Sequence, residues 1–160
     1  MTKKQNGGIE MKKMQFAAML TVIFAVASAA YPEEVTYSRD IWPVFEAKCI
    51  VCHGPDSPEL PEFEKDKDGY KGKGKGPRMD SYSYMISFIG WPDTGAIMRR
   101  LNDGRNTKDG KPGNMYQYLG ATEEERQQNF SLFAKWIGNW TLKKVPDLTK
   151  EELNSIKVRY

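Results

Sequence analysis

The chain of 160 residues contains two cysteines and one histidine, and all three fall within five positions, Cys49-Ile50-Val51-Cys52-His53. Thiols and imidazoles bind metals and add to unsaturated carbon, so their concentration points to one chemical centre. C-x-x-C-H is the spacing of covalent haem attachment. Two thiols at that spacing suit two vinyl groups on one porphyrin edge, and the adjacent imidazole swings under the ring as the proximal iron ligand. Competing readings lack residues or setting. A structural zinc site takes four ligands, usually from two separated pairs, and the chain has no further Cys or His to complete one. A thioredoxin-like C-x-x-C wants a strand before it and a helix after it, whereas here a helical pattern precedes and Gly54-Pro55 follows. A plain disulfide loop would leave His53 without a role.

The residues upstream read as the helix that carries the motif. Ser38 or Asp40 can cap it, and Pro43 fits its first turn, where the missing N–H has no intrahelical partner. Ile41, Phe45 and Cys49 recur at i, i+4, i+8 and put the first thiol on the apolar face. The run "YSRDIWPVFEAKCIVCHGPDS" resembles the N-terminal helix and haem-binding loop of class I c-type cytochromes, single-haem electron carriers. The resemblance implies an all-α, cytochrome c-like fold with helices wrapped around one covalently attached haem c. It extends over roughly residues 37–138.

A single histidine excludes a second imidazole on the iron, and with it bis-histidine and multihaem arrangements. The usual remaining strong-field ligand is a methionine thioether, which favours reduced iron. Met79, Met85, Met98 and Met115 follow the motif, and methionine is ordinarily core filling. Met115 differs by context: "KPGNMYQYLG" places it in a Pro-Gly loop, where its sulfur is free of a helix's packing face. That stretch resembles the ligand loop of class I cytochromes, which implies Met115 as the distal ligand, with Pro112 and Gly113 shaping the loop. Met98 is the alternative. It lies in "DTGAIMRRL", a short helix capped by Asp93 or Thr94 with Ile97, Met98 and Leu101 as its apolar face. Met79 follows a Lys/Gly run, and an open distal position is the remaining case. The run around Met85 is ambiguous between strand and helix by pattern, and the resemblance favours helix.

Towards the C-terminus, "TEEERQQNFSLFAKWIGNW" opens on a Thr122/Glu125 capping box with acids in the first turn. Phe130, Phe133, Ala134 and Ile137 form its apolar stripe, and Gly138 stops it. In the resembled family this helix crosses the N-terminal one. Trp136 and Trp140 read as core residues, with contact to haem propionates as the alternative. A second capping box, Thr149/Glu152, starts an extra helix in a C-terminal extension, 141–160, without an assigned role.

Residues 54–78 read as a long, solvated, Gly/Pro-rich loop. "EKDKDG" imitates part of a calcium loop, but Lys75 falls where the closing Glu is required. Lys71, Lys73, Lys75 and Arg78 are candidates for a basic patch that would steer an acidic redox partner.

Residues 1–30 read as a Sec-type signal peptide, with Met11 as an alternative start. Two lysines, an apolar run and an Ala27/Ala29 cleavage site follow in order. The run is too short to span a bilayer comfortably. Removing the four lysines and one glutamate of this segment from 24 basic and 21 acidic residues leaves 20 of each. The formal +3 therefore belongs largely to the leader, and nothing global points to nucleic acid or stable membrane insertion. The expectation is an exported, periplasmic electron carrier with redox protein partners and no substrate chemistry of its own. Alternatives are a subunit of a larger oxidoreductase, or a haem-based ligand sensor if the distal position is open.

Overall fold

Apolar residues at helical spacing make the chain helical from Tyr37 to His53 with one break. A wide π-helical turn, Tyr37–Ile41, runs into α1, Trp42–Lys48, and after Cys49 into α2, Ile50–His53. The computed structural model describes residues 33–160 together with Met1 and Thr2, so the expected leader and its cleavage site lie outside the described residues. Asp40, rather than Ser38, secures the first turn: its carboxylate accepts from the Thr36 N–H at 2.7 Å. Ile41 and Phe45 are buried on the inner face.

Residues 54–78 are not an open loop. They fold into α3, Leu60–Lys65, and α4, Lys67–Gly72. Phe63 is buried and packs near the Tyr70 ring, and Asp66 caps α4 by accepting from the Gly69 N–H at 3.0 Å. The acids that imitate a calcium loop thus include a helix cap. Next come α5, Tyr82–Ser87, capped by Ser81, and α6, Ala96–Leu101. The expected caps of α6 are not used: Gly95, at φ 78, starts the helix, and the Thr94 hydroxyl turns back to the Gly90 carbonyl. Met85 and Met98 are fully buried, as core residues of α5 and α6.

A 3-10 turn, Tyr116–Leu119, leads to α7, Glu123–Ile137, which packs on that turn and on Tyr37–Ile41. Phe133, Trp136 and Ile137 are its buried stripe, with Phe130 half-buried. Thr122 accepts from the Glu125 N–H, but the reciprocal half of the expected capping box is absent. The Glu125 carboxylate instead takes the Ala121 N–H at 2.7 Å and the Lys48 ammonium at 2.5 Å, tying the start of α7 to the end of α1.

The extension has a structural role that sequence alone left open. After α8, Lys150–Asn154, with its complete Thr149/Glu152 capping box, the tail turns back over the two terminal helices. The Arg159 carbonyl accepts from the Tyr37 N–H at 2.8 Å and from Trp136 Nε1 at 2.6 Å. The Val158 carbonyl accepts from the Tyr82 hydroxyl at 2.6 Å. The Tyr37 ring lies among Trp42, Tyr82, Trp136 and Tyr160, with centroids 5.4–6.1 Å away. Among the described residues no strand forms, and no helix is long and apolar enough to cross a membrane. The fold is all-α, as expected.

Candidate functional site

One turn of helix collects the chemistry. The Cys52 N–H and the His53 N–H both donate to the Cys49 carbonyl, at 3.1 and 2.9 Å, which closes a tight turn around the three residues. Both cysteines are free thiols, Cys49 half-buried and Cys52 exposed. Burial, reinforced by the neighbouring Cys52, pushes the Cys49 thiol up to about 12.

Four residues of helix leave most carbonyls without intrahelical partners. The chain supplies these by returning from α4. The Lys75 ammonium donates to Val51 O at 3.1 Å, the Gly76 N–H to Cys52 O at 2.8 Å, and the Met79 N–H to His53 O at 2.9 Å. Within the same segment Pro77 offers its carbonyl to His53 Nδ1 at 2.7 Å. A carbonyl can only accept, so Nδ1 carries the proton and the Nε2 lone pair is free to bind a metal. Burial depresses the pKa of His53, against the opposing effect of the Pro77 bond. Both observations describe a neutral imidazole whose ring is held by a backbone acceptor and whose Nε2 could bind a metal.

Gly76 is the close-approach residue of this clamp. A Cβ there would lie 2.2 Å from His53 Cε1 and 2.7 Å from Nδ1. Sequence reasoning missed it, because "KGKGKGP" reads as flexible filler until the imidazole is placed against it.

On the other side of the sequence, Met115 sits half-buried at the start of the 3-10 turn. Its N–H donates to Arg100 O at 3.0 Å, and the Gly113 N–H donates to Asn102 O at 2.7 Å. These bonds lash the loop to the end of α6. A Cβ on Gly113 would meet the Arg100 and Arg99 carbonyls at 2.3 and 2.4 Å, so this backbone approach requires glycine. Met79 is tied through its own backbone to His53.

Some buried polar atoms have no partner among the described residues: Tyr37 Oη, Asn102 Nδ2 and Trp140 Nε1. A buried donor without an acceptor is costly. Trp136 is different, since its indole N–H is satisfied by Arg159 within the core. Two thiols on one turn, a neutral imidazole with a free Nε2 and a glycine cradle fit a covalently held haem.

Of the candidate basic patch on 71–78, Arg78 and Lys71 lie beside acids, while Lys73 and Lys75 keep their charges. Arg78 pairs with Asp80 at 2.6 Å and lies over the Tyr84 ring, Lys71 faces Asp68 at 3.8 Å, Lys73 lies 5.7 Å over the Tyr70 ring, and Lys75 donates to the neutral Val51 carbonyl.

A family model described as PccH cytochrome c matches residues 36–160. The chain belongs to that cytochrome c family. It is also similar to a solved structure, the monoheme cytochrome PccH from Geobacter sulfurreducens, at 57% identity, covering 80% of this chain and 100% of that one, with a TM-score of 0.76. No curated protein matches the chain. The family membership covers the C-x-x-C-H turn, the 75–79 clamp, the Met115 loop and the C-terminal tail alike.

Proposed function

We propose that this member of the family is an exported one-electron carrier that holds one haem c. In this reading Cys49 and Cys52 bind the haem covalently as thioethers, His53 Nε2 is the proximal ligand and Met115 the distal one. When bound, the haem supplies the Fe(III)/Fe(II) couple. The protein's own residues do the rest. Pro77 fixes the imidazole tautomer and orientation and strengthens Nε2 as a donor. Gly76 leaves room for the ring. Gly113 and Asn102 hold the loop that offers the thioether, a ligand that favours the reduced state.

The observation that carries this reading is the 2.7 Å contact between His53 Nδ1 and the Pro77 carbonyl, made by a segment that also caps the motif's carbonyls. Met115 is supported by exclusion on packing grounds: Met85 and Met98 are enclosed in the core, and Met79 is anchored beside His53. Donor and acceptor proteins would meet the domain near the exposed Val51–Cys52 edge, in brief encounters of small area. The tail that follows the last helix binds inward on Tyr37, Tyr82 and Trp136, which makes the extension part of the domain's own packing. Export is supported by the leader-like sequence of 1–30.

The test is spectroscopy of wild type and Met115→Ala. Wild type should be six-coordinate and low-spin, with its haem retained after denaturation. The variant should become high-spin or bind CO readily in the ferrous state. An unchanged low-spin spectrum in Met115→Ala would sink the distal assignment, and haem lost on denaturation would sink the covalent one.

A further inference from the structure

We propose that Tyr116, gripped by Glu123 and Gln127 of α7, is the positioning residue that sets how firmly Met115 is offered to the iron. The proposal rests on the reading of Met115 as the distal ligand. Met115 stands between two anchors of different kinds. On its N-terminal side the loop is held by backbone bonds to the end of α6, Gly113 N–H to Asn102 O and Met115 N–H to Arg100 O. Its C-terminal side is held by side chains of α7.

The Tyr116 hydroxyl donates to Glu123 Oε1 at 2.6 Å and accepts from Gln127 Nε2 at 2.6 Å. Its ring is buried and meets Phe130 edge-on. Glu123 is held in turn by Arg126 at 3.0 Å, and Gln127 also reaches toward Asp103 Oδ2 at 3.4 Å. Thus one phenol, adjacent in sequence to the ligand, is fixed in both its hydrogen-bonding directions by one face of α7. Asn114, on the other side of Met115, is exposed and accepts from Arg100 Nη1 at 2.9 Å, while Gln117 and Tyr118 are exposed and make no contact with α7 comparable to that of Tyr116. The Asn129 amide to Leu119 O, at 2.6 Å, fastens the far end of the turn rather than the ligand end.

The sequence presents this arrangement as two separate features, an aromatic after the methionine and an acid in a helix's first turn. Only the fold joins them. A hydrogen bond to a carboxylate is stronger and more directional than one between neutral groups, which suits a group that must resist a ligand's displacement. Acting through Tyr116, α7 would resist swinging of Met115 away from the iron.

The experiment uses the haem-loaded protein with Tyr116→Phe, which keeps the ring, and Glu123→Gln, which keeps the size and removes the charge. Added imidazole serves as the probe, and the rate at which it displaces the native sixth ligand is followed optically. Each substitution should raise that rate about tenfold, the ratio given by loss of one charge-assisted hydrogen bond of ordinary strength. The midpoint potential should fall as the thioether's hold on ferrous iron weakens. Lys143→Ala, which removes a surface ion pair with Glu152, is the control and should leave both readouts unchanged. Met115→Ala separates the two levels. If its spectrum equals wild type, the distal reading fails and this inference with it. If it loses the low-spin spectrum while Tyr116→Phe and Glu123→Gln displace within twofold of wild type, only the positioning role is overturned. Should Tyr116→Phe fold poorly, Glu123→Gln alone decides.

Discussion

Three glycines in "KGKGKGP" look alike in sequence, yet the structure gives each a different cost on substitution by alanine. A Cβ on Gly72 would meet nothing within 4 Å, and the residue ends α4 in an ordinary conformation. Gly72→Ala should be neutral or stabilise by about 0.4–1 kcal/mol through the unfolded state. Gly74 also has open space around it but sits at φ 69. Its cost is backbone strain alone, about 1 kcal/mol. Gly76 has no positive φ, so its cost is contact alone. The new methyl would lie 2.2 Å from His53 Cε1, and the ring cannot yield without losing the 2.7 Å bond to Pro77. Overpacking costs about 1–3 kcal/mol, and the lost hydrogen bond adds about 1. Together these make about 2–4 kcal/mol. For a unit the size of Glu33–Tyr160, each kcal/mol lowers Tm by about 3–5 °C. Gly76→Ala should therefore lower Tm of the haem-loaded protein by about 6–20 °C, Gly74→Ala by about 3–5 °C and Gly72→Ala not at all. The Gly76 variant alone should also shift the midpoint potential upward, as the imidazole loses its Pro77 acceptor and some donor strength. Thermal melts and a redox titration of the three proteins suffice. If Gly76→Ala melts no lower than Gly74→Ala, the imidazole does not rest on Gly76 and the clamp is wrong.

Two further outcomes follow from named contacts. Trp136→Phe removes the indole N–H that donates to Arg159 O while keeping an aromatic ring in the core. It should destabilise by about 1–3 kcal/mol, and a melt equal to wild type would show that the tail does not bind there. The Glu123 carboxylate is held down at about 2, mainly by the Tyr116 hydroxyl and then by Arg126 and Gln127, against an ordinary 4.5. Since the folded form has the lower pKa, this carboxylate's contribution is complete above pH 4.5 and is lost as pH falls from 4.5 toward 2. Acid unfolding of Glu123→Gln should be shallower than wild type in that window, with the difference shrinking at high salt because the side chain is exposed. Parallel acid curves would contradict the assignment.

The chemistry of this protein is written locally, and local patterns are what a sequence displays. Five consecutive residues name the haem motif, because thiol and imidazole have few other uses at that spacing. The Ile41–Phe45 periodicity, the Thr122 cap and the Gly138 stop likewise act over one or two turns, and each appears where its pattern places it. The Trp136 ring is in the core, as expected. The class I resemblance carried the all-α fold further, and family membership bears it out.

What sequence could not show are contacts between residues far apart in the chain. Nothing local says that Pro77 returns to His53, because a carbonyl acceptor is available on every residue and only the turn of α3 and α4 brings this one to 2.7 Å. Lys71 and Arg78 look like free surface charges until Asp68 and Asp80 are seen beside them. The tail reads as surplus because its partners, Tyr37, Tyr82 and Trp136, lie more than twenty residues away. Composition and spacing thus decide which cofactor chemistry the chain can perform. The tertiary structure decides how the imidazole, the Met115 loop and the C-terminal tail are held, since hydrogen bonds between distant backbone groups leave no mark in either residue type alone.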